Sequence, residues 1–148
     1  MHLLEPEIAV ARMVRTLRPG GWVMLEEFDL PLTTEVGVDG GSTTLRTSVA
    51  FRTAMQRSGV DMQCGRRLPG ILRTGGLVSI GGQGRTSLWT GGSAGARLMR
   101  SNYVGLQQRM IDDGLIGAVE FKADLARLND AEFLAVSPTM WSVWGRLP

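Results

Sequence analysis

The sequence predicts an α/β fold, and three adjacent observations predict it. Val10, Met13, Val14 and Leu17 recur at helical spacing along Pro6 to Leu17, so this segment forms a helix with one apolar stripe. Pro19, Gly20 and Gly21 then stop the helix in a tight turn. The uninterrupted apolar run Trp22-Val23-Met24-Leu25 follows, the pattern of a strand buried on both faces.

The remaining elements are read in order. Pro6 suits the first turn of the opening helix. After the strand come Glu26, Glu27 and Asp29, polar groups where the chain leaves the sheet, and in open α/β sheets that carboxyl edge is where ligands sit. Pro31 to Ser42 reads as loop, and Leu45 to Ser58 as a helix closed by Gly59. A shorter helix, with Leu68, Ile71 and Leu72 on one face, begins near Pro69 and ends at Gly75-Gly76 before a strand over Leu77 to Ile80. Arg85 to Thr90 continues that strand past a kink at Gly81-Gly82. Ala96 to Asp113 is the clearest helix, with Met99, Tyr103, Leu106 and Met110 on one side and Gly114 at its end. A short helix contains Asp124 to Leu128, and Phe133 to Val136 with Thr139 to Trp144 make a terminal strand interrupted by Pro138.

Composition narrows the function classes. At 148 residues, 43% hydrophobic and 20% charged, the chain suits one soluble globular domain. No apolar run approaches the roughly 20 residues of a membrane span, and the N-terminus lacks the basic-then-apolar pattern of a signal peptide, so a cytoplasmic protein is expected. Cys64 is the sole cysteine, which excludes an intrachain disulfide and a cysteine-rich metal site. A lone histidine and scattered carboxylates give no metal-ligand spacing. The net charge is +2, and only Arg66 and Arg67 are adjacent among the scattered arginines, whereas a nucleic-acid binder concentrates cations on one face. Nucleic acid is therefore not an expected partner.

The segment from His2 to Asp29, and above all LRPGGWVMLEE from Leu17 to Glu27, resembles the stretch of class I S-adenosylmethionine-dependent methyltransferases that runs from the end of the fourth strand through a helix to the fifth. Phe51 to Ile80 resembles that family's next passage, into the sixth strand, and the ending PTMWSVWGRLP resembles the closing antiparallel strand of one branch of small-molecule methyltransferases. The resemblance implies that residues 1–148 are a single partial methyltransferase domain. It implies the C-terminal half of a Rossmann-like fold, with the last three strands in a mixed sheet and flanking helices. It also implies methyl transfer from S-adenosylmethionine to a small-molecule acceptor. The family's glycine-rich turn after strand one and acidic residue after strand two would precede Met1, as in a truncated or frame-disrupted gene. The chain alone is then expected to bind the cofactor weakly or not at all, and a homodimer or a partner supplying the missing half becomes an expectation. The alternative is a non-catalytic remnant or interaction module that dimerises or pairs through an exposed sheet edge and apolar faces.

The same resemblance places His2 and Leu3 at the cofactor, with His2 as general base, since imidazole accepts a proton near neutrality. A frayed terminal histidine with no task is the other reading. Glu26, Glu27 and Asp29 contact a substrate amine or hydroxyl, or else form a solvated acidic loop. Tyr103, with Met99 and Met110, belongs to a substrate lid or to the core, and Trp22, Trp89, Trp141 and Trp144 line a substrate cavity or pack the sheet. The stretch Gly81-Gly82-Gln83-Gly84 reads weakly as a phosphate loop, having no Lys-Ser/Thr pair behind it. Its Gly-Gly-Gln also matches the tripeptide of peptide-chain release factors, without the lysine-rich context of an RNA-reading domain.

Overall fold

The computed structural model describes residues 5–30, 34–36 and 42–148. In chain order the elements are α1 (Pro6–Val14), β1 (Trp22–Asp29), β2 (Thr34–Val36), β3 (Ser42–Thr44), α2 (Arg46–Arg57), α3 (Cys64–Thr74) and β4 (Val78–Arg85). They continue with β5 (Leu88–Thr90), α4 (Ala94–Gly105), α5 (Gln107–Asp112), α6 (Ala118–Arg127), β6 (Leu134–Val136) and β7 (Thr139–Arg146). The chain divides into two compact units, one drawn from Met1–Leu30, Gly59–Arg85 and Thr139–Pro148, the other from Pro31–Ser58 and Thr86–Pro138. Among the described residues, no helix is long and apolar enough to cross a membrane.

The first unit holds a three-stranded sheet in the order β1-β7-β4, with β7 antiparallel to both neighbours. β1 and β4 therefore run parallel to each other, and α1 and α3 precede them. Val10 of α1 and Leu68, Ile71 and Leu72 of α3 pack with Val23, Leu25, Trp141 and Val143 on one sheet face. The other face carries Trp22, 54% exposed, and Met24, 63% exposed. The apolar run of β1 is thus covered on one face, not two, because both helices of this unit lie on the same side. Gly20 makes the preceding turn at φ +77°, and a side chain at Gly21 would meet the Arg18 carbonyl oxygen at 2.8 Å.

The second unit holds a four-stranded antiparallel sheet of short strands in the order β3-β2-β6-β5. Its core brings Leu45, Ala50 and Ala54 together with Met99, Tyr103, Met110, Ile116, Phe121, Leu128, Phe133 and Ala135. α2 has no side-chain cap of its own, and the Asp124 carboxylate of α6 accepts the Thr47 N–H at 2.7 Å instead.

Several expectations are corrected. β1 is twice as long as the apolar run, because Glu26 to Asp29 pair with Ser142 to Thr139 and the backbone groups of Glu27 and Asp29 are satisfied in the ladder. β2 forms within the segment expected to be loop, and β3 begins at its last residue, Ser42; the segment's remaining residues lie outside the described ones. α3 starts at Cys64, ahead of Pro69, because the distant Asp29 carboxylate accepts the Arg66 N–H at 3.1 Å in its first turn. β4 and β5 are not one kinked strand, nor β6 and β7 one interrupted strand; the members of each pair belong to different sheets. The expected helix from Ala96 to Asp113 breaks after Gly105, where Leu106 leaves helical geometry at φ −113° and turns into the core.

Candidate functional site

The carboxyl end of β1 gathers the first unit's polar groups. Asp29 is only 3% exposed, a placement that a carboxylate tolerates when its lone pairs are taken. Its Oδ1 accepts the Arg66 N–H at 3.1 Å, and its Oδ2 accepts from Arg66 Nε and, at 3.1 Å, from Trp141 Nε1. One side chain thus ties the end of β1 to the first turn of α3 and to β7. Gly65 is required beside it, since a side chain there would run into the Glu27 carbonyl and the Trp141 ring.

On the opposite sheet face a second cluster crosses all three strands. Glu26 Oε1 accepts from the buried Ser142 hydroxyl and from Arg85 Nη2 at 3.0 Å, while Arg85 Nη2 also donates to Ser142 Oγ at 3.2 Å. Glu27, half-buried, accepts the Phe28 N–H at 2.8 Å through Oε1. These residues occupy a strand, so the solvated acidic loop is not the arrangement found.

Beside α3, Arg67 bridges Asp61 and Glu7, the latter at 3.1 Å, along a surface groove lined also by Arg66, Gly70, Ile71 and Thr74. Burial pushes the Asp61 carboxyl up, but hydrogen bonds from the Gln63 N–H and Arg67, with the Arg67 charge, outweigh that and hold it below its ordinary value. Arg67 is raised in turn by Asp61. The Cys64 thiol is pushed up by burial and by the negative charges of Glu27 and Asp61, which makes it a poor nucleophile at neutral pH. Among the described residues no group of three His, Cys, Asp or Glu side chains stands ready to hold a metal.

Tyr103 lies in the other unit, buried in its core with its ring edge-on to Phe51 at 5.3 Å, and Met99 and Met110 lie in the same core. His2 and Leu3 fall outside the described residues. The glycine stretch at 81–84 lies in β4: a side chain at Gly81 would meet Trp144 Nε1 at 2.7 Å, and one at Gly84 would meet Thr139 at 3.0 Å. Close strand packing, not a phosphate loop, explains it.

A strand-to-helix glycine turn does occur between β5 and α4, at Gly91-Gly92-Ser93, but each residue has a packing, backbone or capping task. Gly91 abuts the Asp130 backbone, Gly95 lies against the Trp89 ring, Gly92 takes φ +67° and Ser93 Oγ caps the Ala96 N–H at 3.3 Å. Packing and capping therefore account for this turn. Sequence reasoning passed over Arg66, Arg85 and Ser142 as site residues, because their acidic partners stand 37, 59 and 116 positions away.

The fold is a mixed α/β arrangement with antiparallel sheet pairing. No family model matches the chain, and no curated protein does. Among solved structures it is similar to Haemonchus contortus phospholethanolamine N-methyltransferase 2 in complex with phosphomonomethylethanolamine and S-adenosylhomocysteine, at 9% identity and a TM-score of 0.43. The alignment covers 97% of this chain and 30% of that protein, so this chain spans less than a third of its length. At that TM-score and identity the likeness carries no argument, and fold and chemistry rest on this chain's own residues.

Proposed function

We propose that the chain is the acceptor-side part of a class I S-adenosylmethionine-dependent methyltransferase acting on a small molecule. The observation that carries the reading is the phrase from Leu17 to Glu27. It resembles that family in sequence, and it folds as the connection that follows α1, a glycine turn and most of β1, the strand whose carboxyl end bears Glu26, Glu27 and Asp29. Further support comes from the closing strand β7, which runs antiparallel to its neighbours, as the resemblance implies.

Within this reading the residues divide by task. Asp29, fully engaged, fixes Arg66 and Trp141 and is a positioning residue. Glu26, half-exposed and held by Ser142 and Arg85, is the carboxylate available to orient an acceptor amine or hydroxyl. Methyl transfer needs chiefly alignment of the acceptor atom, and a carboxylate accepts its proton where the nucleophile must lose one. S-adenosylmethionine would supply the methyl group when bound, but the residues described do not fit it. Calorimetric titration with S-adenosylhomocysteine tests whether this part alone holds the cofactor. Millimolar or weaker affinity is expected, and micromolar affinity would contradict it.

A second reading, a non-catalytic module that dimerises or pairs with a partner, is favoured by one observation. Trp22 and Met24 stand exposed on the outermost strand of a sheet.

A further inference from the structure

The two edges of the three-stranded sheet are guarded very differently. β4, at one edge, carries a register irregularity between Val78 and Gly81, a Ser79 at φ +52°, three glycines and the Arg85 charge. Bulges and charges of this kind keep an edge from pairing. β1, at the other edge, keeps continuous register over eight residues, and from Trp22 to Leu25 it has no charge, proline or bulge.

The free backbone groups of β1 can be placed. Leu147 N–H donates to the Gly21 carbonyl, so by alternation Val23, Leu25, Glu27 and Asp29 address β7, whereas Trp22, Met24, Glu26 and Phe28 face outward. The outward Phe28 N–H is taken by Glu27 Oε1, and the Leu30 N–H by the Met62 carbonyl. Among the described residues no strand pairs with the outward groups of Trp22, Met24 and Glu26.

We propose that this segment pairs with the same segment of a second copy, antiparallel about a two-fold axis at Met24, because only a register centred there matches these three residues to themselves. Met24 then faces Met24 of the second copy, Trp22 faces Glu26 of the second copy, and the outward donors and acceptors of these three residues each find a counterpart. On the helix-covered face the same register sets Val23 against Leu25 of the second copy, apolar against apolar. No two like charges stand opposite, and Glu26 keeps its compensating Arg85. The inference rests on the second of the two functional readings, since it gives that module its partner and its surface.

Sedimentation equilibrium of the whole chain across a concentration series tests it, with a monomer–dimer equilibrium expected. Met24→Lys, which puts a charge on the axis, and Met24→Pro, which removes an outward N–H without touching the β7 ladder, should each weaken dimerisation at least about tenfold. Circular dichroism should be unchanged in both. Val119→Lys, at a position 84% exposed on the other unit, should leave the dimer intact. A wild-type chain that stays monomeric at high concentration overturns this pairing and, of the module reading, its dimerising form. A dimer that survives both Met24 variants keeps the module reading and overturns the pairing.

Discussion

The two compact units solve the same problem of burying a sheet in opposite ways. In the second unit short strands and surrounding helices enclose an apolar core, with Phe121 and Phe133 almost fully buried. In the first unit, longer strands have helices on one face only, and two polar side chains are buried in the sheet, Asp29 at the end of β1 and Ser142 in the middle of β7. The first unit thus combines an open sheet face with a buried, fully engaged carboxylate at the carboxyl end of β1. The second unit combines short strands with a closed apolar core.

The contrast makes ordered predictions. Phe133→Ala should cost most, about 3–5 kcal/mol in denaturant unfolding, because it empties a closed apolar core. Asp29→Ala should cost less, about 2–3 kcal/mol, by leaving the Trp141 and Arg66 N–H groups without their acceptor, with the half-exposed guanidinium partly rescued by water. It should also shift tryptophan fluorescence, a change Phe133→Ala does not share by this route. If the two costs are reversed, the division into an apolar unit and a polar-edged unit fails.

The smallest effect concerns the surface ion network. The Asp61 carboxyl lies below its ordinary value in the folded chain, so its contribution is complete above the unfolded value of about 4 and disappears as pH falls through the folded one. Asp61→Asn should therefore lower stability by less than about 1 kcal/mol at neutral pH and by progressively less as pH falls below about 4, as thermal unfolding across that range would reveal.

Local periodicity made α1, α2 and the positions of β1 and β7 legible in the sequence, since each carries its own stripe or apolar run. What stayed hidden depends on partners far away in the chain. Asp29 reads as a loop acid until Arg66 and Trp141 are brought to it, and α3 reads as starting near Pro69 until that same carboxylate caps its first turn. The run from Trp22 to Leu25 reads as doubly buried because an apolar run cannot say on which side the helices fall. The glycines at 81–84 invited ligand readings that the rings of Trp144 and Trp141 explain by packing.

The most direct test of the acceptor-side account is an amide chemical-shift titration of the chain with small amine and phenol acceptors. The account predicts perturbations confined to Glu26–Leu30, Gly84–Arg85 and Thr139–Ser142, lost in Glu26→Gln with the fold intact. Perturbations centred on the second unit, or none at any position up to millimolar acceptor, would contradict it.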